Sequence, residues 1–290
     1  MIRRPLIATI LACSGLGVAA CGGTAGQAAA GGANTGHTAA SAPVAPQSRT
    51  AAVDTGKVSE RAATAPTGPA AKPLTGKVIL IDPGHNGGNF KHPEVVNKPV
   101  NVLTKRKPCD TTGTSTNDGY SEAAFTWDVS NRLAKLLRAE GATVKLARDS
   151  NSGVGPCITE RAAIGNKAKA DAAISIHGDG APASGHGFHI IMPKKINGPV
   201  DPVVNDSRKL GVTVRNAFHA GTGQPYSTYI GKNALDFRND LGGLNLSTVP
   251  KIFIEVGNMR NAGDAAKMKN PQFRQKAAAA LAKGITTYVS

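Results

Sequence analysis

Residues 76–85 read GKVILIDPGH, and this stretch decides the fold class. Its four consecutive apolar residues, 78–81, lack the alternation of a strand that has one side in water, so they predict a strand buried on both faces. Pro83 and Gly84 then end the strand in a turn. A strand of this kind is typical of a parallel sheet that is covered by helices.

Strand and helix patterns alternate from this strand to the C-terminus. Further strands are predicted at 143–148, 172–177, 187–192 and 251–256, and helices at 121–140, 159–170, 206–220 and 271–287. The alternation predicts an α/β fold, with one largely parallel, twisted sheet and helices on both of its faces. In such sheets, ligands bind at the carboxyl ends of the strands.

The first 20 residues have the pattern of a secretory signal peptide. Arg3 and Arg4 are followed by the apolar stretch 6–18 and two alanines. The stretch ends in VAAC, which resembles the cleavage motif of bacterial lipoproteins and makes Cys21 the expected lipidation site. An ordinary cleaved signal followed by a chance cysteine is the alternative. We favour the lipoprotein, because a Gly-, Ala- and Pro-rich segment follows directly.

That segment, residues 21–75, is predicted to be a disordered tether. All twelve aromatic residues of the chain lie after it, so it cannot bury enough apolar surface to offset its ordering entropy. The remaining residues, 76–290, suit a single domain of ordinary size. The protein is therefore expected to be exported to the cell envelope, with membrane contact only through the lipid anchor.

Two cysteines remain within the predicted domain, Cys109 and Cys157. In an exported chain such a pair predicts a disulfide bond. A pair of zinc thiolates is the alternative, but neither cysteine has another Cys or a His at ligand spacing.

The chain carries 34 Lys and Arg against 19 Asp and Glu, a formal charge of +15, which indicates an anionic partner. Export and the lack of interleaved aromatic and basic residues argue against nucleic acid and favour an anionic cell-envelope surface. Simple solubility is the alternative explanation of the charge. No strong dimerisation pattern is visible, so we expect a monomer.

Four ionisable residues lie where strands end or a helix begins. His85, His177 and Glu255 lie at the ends of predicted strands, and Glu122 begins the long helix. Two imidazoles and a carboxylate form a known catalytic zinc shell, and a further carboxylate can carry the proton during hydrolysis.

Each of these residues also has an ordinary structural explanation. His85 can be a turn residue, His177 a core histidine, and Glu122 a complement to a helix N-terminus. Glu255 is harder to explain, because a carboxylate within an apolar strand is costly without a partner. Four other histidines compete as ligands: His92, His186, His189 and His219.

The order and spacing of four motifs help to decide between the structural and the functional explanations of these residues. ILIDPGH at 79–85, SE at 121–122, SIH at 175–177 and IEVGN at 254–258 resemble the zinc-dependent N-acetylmuramoyl-L-alanine amidases of the type-3 family. The resemblance covers essentially all of 76–290. The helix at 122–140 that leads into the strand at 143–148, and Arg161 ahead of the second histidine, also resemble the framework of that family.

The resemblance implies that His85, Glu122 and His177 hold one Zn²⁺ ion and that Glu255 is the catalytic glutamate. The implied reaction is hydrolysis of the amide between N-acetylmuramic acid and the L-alanine of peptidoglycan or of muropeptide fragments. Asn258 is a weaker candidate for substrate binding. Asp82 is expected to orient His85 or to support its loop.

Three loops depart from the family pattern, at 86–89, 178–180 and 257–260, and these departures bear on substrate preference. No segment between 187 and 251 resembles the inserted helix that blocks the zinc in some relatives, so we expect an enzyme that needs no activator. Two rival hypotheses remain: a non-catalytic, amidase-like lipoprotein that binds peptidoglycan or regulates another hydrolase, and a metal-dependent peptidase that cuts elsewhere in the stem.

Overall fold

The computed structural model describes residues 71–290. The predicted signal peptide, Cys21 and the tether up to residue 70 lie outside the described residues. Residues 71–290 contain eight strands: β1 (Val78–Pro83), β2 (Pro99–Asn101), β3 (Arg106–Pro108), β4 (Thr143–Leu146), β5 (Ala172–Asp179), β6 (His189–Pro193), β7 (Leu235–Arg238) and β8 (Lys251–Asn258). In the same range, seven α-helices connect or flank the strands: α1 (Pro93–Val96), α2 (Glu122–Ala139), α3 (Ile158–Lys167), α4 (Val204–Thr222), α5 (Gly242–Asn245), α6 (Ala262–Lys269) and α7 (Pro271–Val289).

Six strands form the central sheet in the order β4-β1-β5-β8-β6-β7. The first four run parallel, β6 pairs antiparallel with β8, and β7 runs parallel to β6. This confirms the prediction of a largely parallel sheet within one α/β domain. The long loop between β1 and α2 contains α1 and the hairpin of β2 and β3.

The two faces of the sheet bury different side chains. On one face, isoleucines of β1, β5 and β8 pack against α2, α4 and α7: Ile79, Ile81, Ile174, Ile176, Ile252 and Ile254. On the other face, Leu80 and Ala173 pack with Ile164 of α3. Further along this second face, towards the carboxyl ends of the parallel strands, the side chains become polar. Helices therefore cover both faces, as predicted.

The start of α2 is fixed by the local sequence. The side chain of Ser121 accepts a hydrogen bond from the backbone N–H of Ala124 (3.3 Å), so Ser121 is the N-cap. Glu122 is consequently the first helical residue, and the apolar residues Phe125, Val129 and Leu133 recur at intervals of four on the buried side of the helix. The cap thus aims Glu122 at the ends of the strands.

Cys109 and Cys157 are joined by a disulfide bond. The bond connects the residue after β3 to the residue before α3, and the backbone N–H of Ile158 donates to the carbonyl of Cys109 (2.7 Å). This pairing excludes the alternative in which the two cysteines are zinc ligands. It also holds the segment after β3 against the edge of the sheet where the candidate site lies.

Candidate metal centre

The structure brings His85, Glu122 and His177 together at the carboxyl edge of the parallel strands. One potential ligand atom from each lies within 4.8 Å of those of the others. Oε1 of Glu122 is 3.3 Å from Nε2 of His85 and 2.9 Å from Nδ1 of His177. Three donors of this type, converging on one point, can hold a metal ion.

The other nitrogen of each imidazole is occupied by the protein. Nδ1 of His85 lies 3.2 Å from a carboxylate oxygen of Asp110 and 3.1 Å from the carbonyl of Thr111. Nε2 of His177 lies 3.2 Å from the hydroxyl of Ser175. Metal-ligating histidines generally hold their second nitrogen in this way, which fixes the tautomer and the ring orientation. The donor set therefore fits a metal ion.

Glu122 is 4% exposed and both of its carboxylate oxygens are held. Oε2 accepts a hydrogen bond from the backbone N–H of Thr114 (2.9 Å), and Oε1 accepts one from that of Gly178 (3.2 Å). Burial acts to raise the pKa of this carboxyl, but His85 and His177 hold it well below its usual range. Glu122 is thus an anion ready to serve as a ligand.

Two glycines make room for these side chains. A Cβ atom on Gly84 would lie 2.4 Å from the ring of His177, and one on Gly113 would lie 2.8 Å from both Glu122 and His85. Gly113 also has a φ of +74°, which disfavours other residues. The Pro-Gly-His turn therefore requires its glycine for space at the centre itself.

Glu255 lies one strand away from this group. It is paired with His177 in the register of β5 and β8, and with His189 in that of β8 and β6. Its Oε2 atom is buried and has no hydrogen-bond partner among residues 71–290. Burial, with Glu122 and Asp179 nearby, raises the pKa of Glu255 well above its usual value. A carboxyl that binds its proton more tightly than usual is suited to take up a proton and return it during a reaction.

A buried ion-pair network lies beneath the centre. One carboxylate oxygen of Asp82 is 2.8 Å from Nη1 of Arg161, and the other is 3.0 Å from Nζ of Lys251. Burial acts to raise the pKa of Asp82, but the two cations hold it well below its usual range. The network contacts both histidines of the centre: Ser175 connects it to His177, and Asp110 connects it to His85.

The hydroxyl of Ser175 donates to Asp82 (3.0 Å) and lies beside the imidazole of His177. On the other side, Nη2 of Arg161 donates to Asp110 (3.0 Å), which lies beside the imidazole of His85. Arg161 also donates to the backbone carbonyl of His85 (3.0 Å). Asp82 therefore supports the loop of His85 through Arg161, whereas the direct partner of that imidazole is Asp110. No local pattern in the sequence marks Asp110, Ser175 or Lys251 as part of the network.

Asn258, the weaker candidate for substrate binding, is held in place by other parts of the protein. Its side chain is fully buried, and its amide donates to the carbonyls of Pro182 (2.9 Å) and Gly185 (2.8 Å). Its carbonyl oxygen accepts from the backbone N–H of Arg260 (3.0 Å). The side chain holds the loop after β5 in place and has no free donor to offer a ligand.

The competing histidines lie outside the group of three. His92 is paired with Glu94 (3.0 Å), His186 is exposed, and Nδ1 of His219 bonds the carbonyl of Gln224 (2.9 Å). His189 is buried next to Glu255, and its Nδ1 atom has no hydrogen-bond partner within 71–290. In that same range, His85, Glu122 and His177 are the only group of three potential metal ligands.

A cleft of about 300 Å³ opens over the centre and is bordered by both histidines, Glu122, Glu255 and Arg238. A second cavity of about 160 Å³ adjoins it. Leu241 and Phe253 border both spaces. The helix α4, which lies in the region between 187 and 251, packs against α7 on the opposite face of the sheet.

Comparison with known proteins agrees with this geometry. Residues 79–287 match the family described as N-acetylmuramoyl-L-alanine amidase. An N-acetylmuramoyl-L-alanine amidase of Mycobacterium tuberculosis is 38% identical over 218 residues, which is 75% of this chain and 88% of that protein.

Solved structures give the same result. The N-acetylmuramyl-L-alanine amidase of Mycobacterium smegmatis superposes with a TM-score of 0.70 at 37% identity, covering 74% of this chain and 98% of that one. The apo form of the corresponding enzyme from Mycobacterium abscessus gives 0.69 at 39% identity, covering 75% and 100%.

Proposed function

Because this chain belongs to the N-acetylmuramoyl-L-alanine amidase family, we propose that His85, Glu122 and His177 hold a zinc ion and that Glu255 carries the proton in its reaction. The protein hydrolyses the amide bond between N-acetylmuramic acid and L-alanine in peptidoglycan. The observation that carries our assignment of roles is the convergence of Nε2 of His85, Nδ1 of His177 and Oε1 of Glu122. Beside them lies Glu255, whose buried Oε2 atom has no hydrogen-bond partner among residues 71–290.

A zinc ion bound there would polarise the scissile carbonyl and lower the pKa of the attacking water. In the first step, Glu255 removes a proton from this water as its oxygen forms a bond to the carbonyl carbon. In the second step, Glu255 donates that proton to the nitrogen of L-alanine as the carbon–nitrogen bond breaks. The raised pKa of Glu255 suits it to both steps, since it must accept the proton and then release it.

The remaining residues of the site orient these groups. Asp110 and Ser175 hold the far nitrogens of the two imidazoles, and the buried network of Asp82, Arg161 and Lys251 holds both of these residues in turn. Preorganised ligands of this kind typically contribute ten- to a hundredfold to metal affinity.

We further propose that the protein works in the cell envelope. Residues 1–20 serve as the signal peptide, Cys21 as the lipid-bearing residue, and residues 21–75 as the tether to the catalytic domain. The disulfide bond between Cys109 and Cys157 is of the kind that exported proteins carry. Within 71–290, none of the helices is long and apolar enough to cross a membrane.

Mass analysis of the products tests the proposed reaction. Intact peptidoglycan and soluble muropeptides are digested with the wild-type protein and with the Glu255→Gln variant, and the new termini are identified. We expect stem peptides with a free L-alanine amino group from the wild type, and at least a hundredfold slower release from the variant. New termini at another bond of the stem would instead identify a peptidase. No cleavage of either substrate, despite a bound zinc ion, would identify a binding protein.

A further inference from the structure

Three cationic side chains surround one carboxylate at the edge of the cleft. Nε and Nη2 of Arg238 donate to the two oxygens of Asp240, at 2.7 Å and 2.8 Å. Nζ of Lys105 lies 3.2 Å from one of these oxygens, and Nζ of Lys107 lies 3.9 Å from it. We call these four residues the Asp240 cluster. Asp240 is already paired by Arg238, so it leaves much of the positive charge of the two lysines uncompensated.

The cluster extends along the opening over the metal centre. Arg238 borders the cleft that contains Glu255, whereas Lys107 borders the adjoining cavity that contains His85 and His177. Leu241 borders both spaces, so the two cations lie along adjoining parts of the opening.

Other acids also lie near the cluster. Asp236 and Glu255 are close to Arg238, and Asp179 borders the same cleft. The cluster itself nevertheless has three cations around a single carboxylate, Asp240, and this arrangement favours an anionic part of the substrate.

Two donors of the cluster are free to bind such a group. Nη1 of Arg238 makes no hydrogen bond to any residue of 71–290, while Nε and Nη2 fix the plane of the guanidinium. Nζ of Lys107 is too far from Asp240 for a hydrogen bond, and partial burial lowers its pKa. An ammonium that is partly withdrawn from water gains more from an anionic partner than one that is fully hydrated.

We propose that the Asp240 cluster binds the free α-carboxylate of the second stem residue, D-isoglutamate, and thereby makes the enzyme prefer stems that are not amidated at this position. This inference rests on the proposed function. Two residues of extended peptide span at most about 7 Å, so the carboxylate lies close to the scissile bond and still within the cleft. Arginine and lysine are the side chains suited to a carboxylate, and charge-assisted bonds distinguish it from a neutral carboxamide.

A matched pair of substrates tests this specificity. Two muramoyl tripeptides that differ only in D-isoglutamate or D-isoglutamine at the second position are hydrolysed by the zinc-loaded protein. We expect kcat/KM to favour the free carboxylate by about tenfold or more, chiefly through KM. In Lys107→Met and in Arg238→Lys this ratio falls towards one. Lys276→Met makes the same change of charge on α7, on the other side of the sheet, and keeps the wild-type ratio.

Thermal unfolding of each variant shows that it is folded before the ratio is compared. Equal hydrolysis of the two tripeptides by the wild type would overturn the inference and leave the proposed function intact, as would a preference that survives in both cluster variants. If the wild type cleaves neither tripeptide nor any other muropeptide, the proposed function fails and this inference fails with it.

Discussion

Along β1, β5 and β8, alternate residues point to opposite faces of the sheet, and the two faces differ in chemistry. One face presents isoleucines, among them Ile81, Ile176 and Ile254, that are fully buried against α2, α4 and α7. On the other face, the neighbouring positions include Asp82, His177 and Glu255. We call these the apolar face and the polar face.

The difference shows that one face of the sheet can supply the stability of the fold while the other face positions the groups of the metal centre. The apolar face contributes through the apolar surface that it removes from water, a contribution that is non-directional and roughly proportional to the buried area. The polar face buries charges, which is costly unless each is paired, and its pairs hold the histidines in fixed orientations. Substitutions on the two faces should therefore change different measured quantities.

The largest effect on stability is expected from the polar face. Asp82→Asn leaves the buried ammonium of Lys251 without its counter-charge, so the free energy of unfolding of the metal-free protein should fall by about 3–5 kcal/mol. Urea denaturation provides the measurement. The double variant with Lys251→Met removes both charges and should be more stable than the sum of the two single changes predicts. Strict additivity would show that the pair does not interact.

A smaller effect is expected where the polar face meets the metal centre. Ser175→Ala removes the hydroxyl that lies between Asp82 and His177, so zinc affinity should fall by about ten- to a hundredfold. Competition with a chromogenic chelator measures this affinity. Ser130→Ala is the matched control, because its buried hydroxyl on α2 has no hydrogen-bond partner in the described range. Equal losses in both variants would argue against a positioning role for Ser175.

A substitution on the apolar face should change the stability of the protein and leave its zinc affinity unchanged. Ile254→Val removes one methylene from a fully buried side chain, so the free energy of unfolding should fall by about 0.5–1.5 kcal/mol. Zinc affinity should remain that of the wild type, although Glu255 is the next residue in the strand. A change in zinc affinity larger than about threefold would show that the two faces are not independent.

The smallest effect concerns pH. Because the pKa of Asp82 is held below its usual range in the folded protein, its pairing stabilises the fold fully above the unfolded value of about 3.9 and less as the pH falls below it. The difference in unfolding free energy between the wild type and Asp82→Asn should therefore narrow from about pH 5 to about pH 3. A difference that stays constant would contradict the assigned ion pair.

The sequence predicts the elements of the apolar face well. The observed ends of β1 and α2 lie within two residues of the predicted ones, because a continuous apolar run and a four-residue periodicity are local signals. The carboxyl ends of parallel strands also lie side by side, and this rule alone predicts that His85 and His177 share one edge of the sheet.

The side-chain pairs on the polar face cannot be predicted from local sequence patterns or from the rule for strand ends. Lys251 begins β8 and resembles a solvated strand end in the sequence, yet it is 1% exposed because it meets Asp82, 169 residues away. Asp110 lies in an irregular loop whose path depends on the hairpin of β2 and β3. The strand β7 has only four residues, too few for a periodic pattern, so the position of Arg238 was not predicted either. Pairings across the fold leave no local signal.

The most direct test of the central claim measures zinc content and turnover together. The full-length protein and its Glu255→Gln variant are purified, their zinc is quantified, and hydrolysis of a muramoyl tripeptide is followed. We expect about one zinc ion per chain in both proteins, with kcat at least a hundredfold lower in the variant. A variant that retains full activity would contradict the proton-carrying role of Glu255. A wild-type protein that binds no zinc would contradict the metal centre of His85, Glu122 and His177.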